Sequence, residues 1–419
     1  MKRILMIAYH FPPLAGSSGI QRTLRFVQHL PKFGWQPIVL TCDPRAYENT
    51  SDDLLADIPP DTVVRRAFAL DTSRHLSIGG RYPGFMARPD RWMTWRFAGI
   101  REGMRLIREF EPAVIWSTYP IATAHVIAAE LHRRSGLPWI ADFRDPMAQD
   151  GYPADPRTWQ SFKCIEEQAM QQATLALFTT PGATRLYRER YPHAAQRIEL
   201  LENGYDEEAF ADVERQITQR APLNPGYLTL LHSGIVYPEE RDPTALIAVL
   251  GDLQRTKQPA ANRLKLRFRA PVHDDLLRRL AMEHGVAESI EIMPSIPYRA
   301  ALEEMLRADG LLILQAANCN DQIPAKLYEY LRAGRPVIAL TDPAGDTAQT
   351  LLGAGISTIA PLDDRQAIGK ILLAFADQSL HGALPTIDAA AAASRRGRSE
   401  ALARMLDNVV PQPLQNSPK

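Results

Sequence analysis

Asp321 and Glu329 stand eight residues apart in the stretch NDQIPAKLYEYLRAGRPVIAL, residues 320–340, with a proline and a lysine between them. Pro324 suits the first turn of a helix, where its missing N–H costs nothing. The amides of Ala325, Lys326 and Leu327 would then lack intrahelical acceptors and, aided by the helix dipole, can hold an anion. Glu329, about one turn further on, can accept hydrogen bonds from two vicinal hydroxyls such as those of a ribose. Asp321 would face the same ligand. The tail RPVIAL, entered through Gly334, reads as a buried strand, and a buried strand needs neither acid. Taken alone, Glu329 reads equally well as a solvated helix glutamate.

Two glycine-bearing segments sit in comparable positions. The first apolar run passes through His10 into HFPPLAGSSGIQRTLRF, where Gly16, Ser18 and Gly19 precede a helical pattern. Glycines there let the backbone approach a phosphate at a helix start. The spacing is not G-x-G-x-x-G and no suitably placed acid ends the second strand, so a dinucleotide fingerprint is absent. The second segment, LLHSGIVYPEERDP, closes a strand with His232, allows close approach at Gly234 and supplies Arg241, a cation that can hold a diphosphate. The bland alternatives are a tight structural turn and a solvated arginine. WIADFRDP offers Asp142, Arg144 and Asp145 as substrate-facing groups or, equally, a buried Asp–Arg structural pair. His10, His232 and Arg144 are possible substrate contacts, whereas His125 falls inside a helical pattern and reads as core or surface. No His, Asp, Glu or Cys group has metal-ligand spacing, so cations and helix N–H groups must meet any ligand charge.

These residues need strands and helices to position them. RILMIAYH, PIVLTC, AVIWSTYP, PWIADFRD, LALFTT and RIELLEN are apolar runs of strand length with helical patterns between several of them. Unbroken apolarity means strands covered on both faces, hence a parallel sheet flanked by helices. A second series, LTLLHSGIVY, LKLRFRAP, SIEIMPSI, GLLILQAA, PVIALT and ISTIAP, follows the proline-bearing TQRAPLNPGY. The fold class predicted is α/β, two Rossmann-like domains with parallel sheets facing across a cleft. Their spans are 1–205 and 206–388. A helix over 389–410 packs back toward the first domain, and 411–419 forms a tail. Ligands in such sheets bind outside the carboxyl ends of the strands, which is where the unusual residues lie.

With 419 residues, 45% hydrophobic and a formal charge of zero, the chain reads as a soluble globular protein with no overall bias toward nucleic acid or membranes. Three scattered cysteines suit a reducing compartment. No apolar run approaches the roughly 20 residues of a bilayer span, and the N-terminus reads as a first strand rather than a signal peptide; a cytoplasmic protein is expected. Charge is uneven locally, with ten arginines against three acids between residues 65 and 108. Residues 81–97 interleave four of those arginines with Tyr82, Phe85, Trp92, Trp95 and Phe97. Such a segment can bind an anionic membrane peripherally or simply pack as a loop, and no nucleic-acid motif accompanies it.

The stretch around Glu329 resembles the donor-binding motif of GT-B glycosyltransferases of the retaining family 4 type, a Glu-x7-Glu pair followed by a helix, a glycine and PV before an apolar strand. Glu329, Gly334, Pro336 and Val337 match it, and Asp321 holds the first acid's place, one methylene shorter. PPLAGSSG is similar to the family's glycine-rich loop and LLENGYD to its interdomain segment. VIWSTYP and WIADFRDP resemble a subgroup linked to bacterial cell-surface polysaccharide synthesis. The resemblance implies transfer of a sugar from a nucleotide-diphosphate sugar, commonly UDP-linked, to a glycan or lipid-linked acceptor hydroxyl without a metal or other cofactor. Glu329 would bind the ribose, the amides of 325–327 the diphosphate, and Asp321 (with Asp142 as a further catalytic candidate) the sugar or acceptor. Arg241, helped by Lys326, would neutralise the leaving diphosphate. The loop 295–298, with Ile296 in it, would lie against the base, and Gly16 to Gly19 would close over the phosphates. One departure stands out: family members commonly carry an arginine after the glycine matching Gly234, and here that residue is Ile235. The shortened acid and missing arginine keep open a non-catalytic sugar-nucleotide-binding protein, and the architecture also admits a nucleotide-sugar 2-epimerase.

Overall fold

The structure, a computed structural model, describes residues 1–15, 17, 19–217, 221–256 and 258–410. The residues divide into two compact units, Met1–Glu202 with Arg395–Lys419, and Asn203–Ser394. The predicted tail over 411–419 lies outside the described residues.

Unit 1 is built on a seven-stranded sheet of β1 (Lys2–Ile7), β2 (Trp35–Cys42), β3 (Val63–Ala67), β4 (Val114–Thr118), β5 (Trp139–Arg144), β6 (Leu175–Phe178) and β7 (Ile198–Leu200). The spatial order is β3-β2-β1-β4-β5-β6-β7 and every pair is parallel. Ile4 to Ile7 and Val114 to Trp116 are fully buried, because helices cover both faces of the sheet. One face packs under Trp95, Ile127 and Leu131, the other under Leu24 and Val27. The Arg395–Val409 helix completes that second layer with Leu402, Ala403 and Leu406.

Unit 2 repeats the plan with β8 (Leu228–Ser233), β9 (Leu264–Arg269), β10 (Ile290–Met293), β11 (Gly310–Leu314), β12 (Val337–Leu340) and β13 (Ile359–Ala360) in the order β10-β9-β8-β11-β12-β13, again all parallel. In each unit the strand order reverses beside the first strand, between β1 and β4 and between β8 and β11. Loops leaving the carboxyl ends on the two sides of such a point diverge and open a crevice. His10 and Gly19 follow β1; Gly234 and Arg241 follow β8; Asp321 and Lys326 follow β11. β3 was not among the predicted strands. It is an edge strand whose VVRRA sequence carries two arginines and stays mostly half-buried, so it lacks an unbroken apolar run.

Candidate functional site

In unit 2 the Lys326–Ala333 helix starts beside the carboxyl end of β8. Its first residue sends the Lys326 ammonium to His232 Nε2 at 3.1 Å. His232 is 1% exposed and its Nδ1 lies 3.0 Å from the Leu312 carbonyl. A carbonyl only accepts, so Nδ1 carries the proton and Nε2 accepts from Lys326. Burial, with Lys326 adding to it, pushes His232 well below the ordinary imidazole range and keeps it neutral. Burial and the Arg241 guanidinium lower Lys326 to about 7, with Glu329 opposing them. Gly234 makes room for this ammonium: its φ is +116° and a Cβ there would lie 3.1 Å from Lys326 Nζ. Arg241 donates to the Ile235 carbonyl at 2.9 Å and lies over the Tyr237 ring. Two cations thus meet at Gly234, one from each side of the β8/β11 switch point.

Glu329 accepts a hydrogen bond from the Tyr298 hydroxyl at 3.0 Å. Tyr298 opens the helix after loop 295–298, so Ile296 and its neighbours are brought to the same edge as Glu329. Asp321 is exposed in the turn after β11. That turn is tied to the next loop by Asn320 Nδ2 donating to Asp342 Oδ2 at 2.7 Å and Asp346 N–H donating to the Asn320 carbonyl at 2.8 Å.

The helix start differs from the expectation. The helix begins at Lys326 after a helical Ala325, so Pro324 precedes the first turn rather than occupying it. The Leu327 amide donates to the Pro324 carbonyl at 2.9 Å and its side chain is fully buried; at the start of the helix Ala325 is exposed and Lys326 half-buried. His232 likewise does not face outward. Its ring is engaged by Lys326 on one side and the Leu312 carbonyl on the other.

In unit 1, Asp142 is 0% exposed and takes Arg22 Nε and Nη2 at 2.9 Å each, plus the Thr118 hydroxyl at 3.0 Å. Arg22, 4% exposed, also donates to the Leu201 and Glu202 carbonyls. Asp142 therefore forms a buried Asp–Arg pair, the second of the two readings its sequence allowed. Asp145 is exposed and Arg144 partly so. Arg144 sits beside His10 and Gly19: a Cβ on Gly19 would overlap His10 Nδ1 and come within 2.8 Å of Arg144 Nη1. Burial, with Arg144 adding to it, lowers His10 to about 4. Gly16 and Ser18 lie outside the described residues. His125 is core, fully buried, with Nδ1 2.8 Å from Ser117 Oγ. Sequence reasoning placed Tyr298 in the loop 295–298 but did not pair it with Glu329, and gave no signal for Thr179 behind Arg144.

Within 81–97 the aromatics divide. Trp95 is buried and Trp92 packs on Tyr9, whereas Phe85 and Phe97 are 68% and 70% exposed. A cavity of about 650 Å³ opens at the ends of β11 to β13, lined by Gln315, Asp342, Leu362 and Arg365 among others. Lys326, Arg241 and Glu329 are not among its lining residues, whereas Glu239 and Asp242, on either side of Arg241, are. Among the described residues no helix is long and apolar enough to cross a membrane.

Residues 18–204 match the glycosyl transferase 4-like domain. The match spans most of the first-unit segment that carries Gly19, Asp142 and Arg144. Solved structures align over nearly the whole chain. HepE from Anabaena in complex with UDP is 12% identical, with 98% of this chain and 97% of that chain covered and a TM-score of 0.60. Sucrose-phosphate synthase from Thermosynechococcus elongatus is 13% identical, with 98% and 96% covered and a TM-score of 0.58. The E. coli trehalose-6-phosphate protein bound with UDP-2-fluoro glucose is 13% identical, with 98% and 100% covered and a TM-score of 0.61. The chain has the GT-B fold. At these identities the likeness concerns architecture. No curated protein sequence matches the chain.

Proposed function

We propose that the chain is a glycosyltransferase whose second unit binds a nucleotide-diphosphate sugar, UDP-linked in the favoured case. The observation that carries this reading is the pairing of Lys326 and Arg241 at Gly234, with Glu329 one turn along the same helix. A diphosphate needs cations and free amides, and a ribose needs a carboxylate within one helical turn. Lys326 also answers the missing arginine after Gly234: the second cation comes from a different element to the same place. The match over residues 18–204 supports glycosyltransferase function, and the fold neighbours include proteins in complex with UDP and with UDP-2-fluoro glucose.

The finer reading is transfer with retention, in cell-surface polysaccharide or glycan synthesis. The anomeric carbon–phosphate oxygen bond breaks, the anomeric carbon bonds the acceptor oxygen on the same face, and the acceptor's proton passes to the departing phosphate. The chain's own work is then to position the reactants and stabilise diphosphate charge. Asp321, exposed after β11, is assigned to the sugar.

Incubation with a panel of nucleotide sugars tests the reading. Glu329→Ala is expected to weaken UDP binding about 10- to 100-fold, the loss of hydrogen bonds to a charged group, read by isothermal titration calorimetry. Unchanged affinity would remove Glu329 from the donor site. Conversion of the donor sugar at C2 without acceptor would favour an epimerase, and donor binding without transfer or hydrolysis a sensor.

Peripheral contact with anionic membranes is proposed through Phe85 and Phe97, which stand exposed among Arg81 and Arg96. Changing both phenylalanines to serine should abolish co-sedimentation with phosphatidylglycerol vesicles; undiminished binding would refute that surface.

A further inference from the structure

Three loops of unit 2 repeat one pattern, a proline close to an acid. YPEERDP follows β8, TDPAGD follows β12 and PLDDR follows β13. β8, β11, β12 and β13 are neighbours in the sheet, so these loops leave one edge side by side. Among them opens the cavity of about 650 Å³. Pro238, Pro343, Pro361 and Leu362 give it apolar walls. Glu239, Asp242, Asp342 and Asp363 line it with four carboxylates against one guanidinium, Arg365, a formal charge of −3.

Most of these acceptors are not used within the chain. Among the described residues nothing bonds or ion-pairs with the side chains of Glu239, Asp363 or Arg365. Asp242 spends one oxygen, Oδ1, on the Thr244 amide and hydroxyl. Asp342 is fixed in place by Asn320 Nδ2 at 2.7 Å and the Ala344 amide at 2.9 Å, which hold its carboxyl below the ordinary carboxylate range. Gln315 is the sharper sign. It is only 5% exposed, and its Nε2 donates to the Cys319 and Gln322 carbonyls at 2.9 and 3.0 Å. Two carbonyl partners fix which end of the amide is nitrogen. Oε1 is the end turned away from them, and among the described residues no donor reaches it. A buried amide oxygen without a donor costs free energy, and Gln315 lines the cavity.

Apart from Arg365, the side chains here offer acceptors and negative charge. An ammonium is their complement, with three donors and no acceptor, and the prolines and leucine suit an apolar body behind it. The volume falls in the range of roughly 300–1,000 Å³ usual for small-molecule sites. Among the described residues no group of His, Cys, Asp and Glu is set to hold a metal ion. We infer that this cavity binds a small aliphatic amine as its ammonium. The head meets Gln315 Oε1 and the carboxylates, and the methylenes lie on the proline walls. The inference does not rest on the proposed donor site.

Titration calorimetry on the full chain at low ionic strength tests this, with 1,4-diaminobutane as probe and 1,4-butanediol as its uncharged counterpart. Wild type should bind the diamine at one site and not the diol. Glu239→Gln combined with Asp363→Asn should weaken diamine binding about 10- to 100-fold, the loss of hydrogen bonds to charged groups. Ala317→Trp adds bulk at an exposed lining position without changing charge, and should abolish binding. All three positions are exposed, so thermal unfolding should match wild type and show that the variants fold. Diamine binding that Ala317→Trp leaves intact would be diffuse attraction to an acidic surface, and would overturn the site. So would a wild-type chain that binds no diamine. Diol binding as tight as the diamine's would overturn the ammonium assignment.

Discussion

Asp142→Ala is expected to lower the stability of unit 1 by about 3–5 kcal/mol, the range for removing one partner of a buried ion pair. The reason lies in what would be left behind. Arg22 is 4% exposed and spends two of its nitrogens on the Asp142 carboxylate. Its donations to the Leu201 and Glu202 carbonyls go to neutral acceptors. Thr118 would lose its carboxylate acceptor as well. Asp142→Asn keeps one carbonyl acceptor and should cost less. Urea unfolding followed by tryptophan fluorescence would report this, since Trp35, Trp95, Trp116 and Trp139 are all buried in unit 1. UDP affinity, measured where the variant is still folded, should be unchanged. Lost transfer with undiminished stability would instead support a catalytic role for Asp142.

The case of Asp142 also shows where sequence reasoning ends. WIADFRDP announces a strand with charged residues at its end, and the strand is there as β5. Which acid points inward depends on a bulge between Asp142 and Arg144, and a bulge leaves no mark in residue types. The left-handed conformation of Arg144 is equally silent, because it comes from Thr179, 35 residues away. By contrast, all six strands of unit 2 were legible, as unbroken apolar runs in β11 and β12 and as an alternating LKLRFR in β9. β3 was not: an edge strand with arginines at 65 and 66 lacks that signature. Around Glu329 the motif located the helix, but one residue of helix register decided the partner of the Leu327 amide. The replacement for the missing arginine was visible as a residue, Lys326, yet its place beside Gly234 needed the β8/β11 crossing to bring two loops together.

Lys326→Met is expected to slow sugar transfer about 10²- to 10³-fold, the usual cost of losing one preorganised group that stabilises charge in a transition state. The sharper signature is protonic. Lys326 in the free protein titrates at about 7, lowered by burial and by Arg241, against an ordinary lysine value of about 10.4. Between those two values the unfolded chain binds more protons than the folded one, so stability rises with pH across this window. Below pH 7 the penalty of a buried ammonium is fully present. A bound diphosphate reverses the preference, because an anion beside Nζ favours the charged form. Binding of UDP at pH 8 should therefore take up close to one proton, and affinity should fall as pH rises above 7. Calorimetry in Tris and in Hepes, whose ionisation enthalpies differ, measures that uptake directly. Lys326→Met should abolish it, while Glu329→Ala should weaken binding and leave the proton uptake in place. Proton uptake that persists in Lys326→Met would place the titrating group elsewhere and detach Lys326 from the diphosphate.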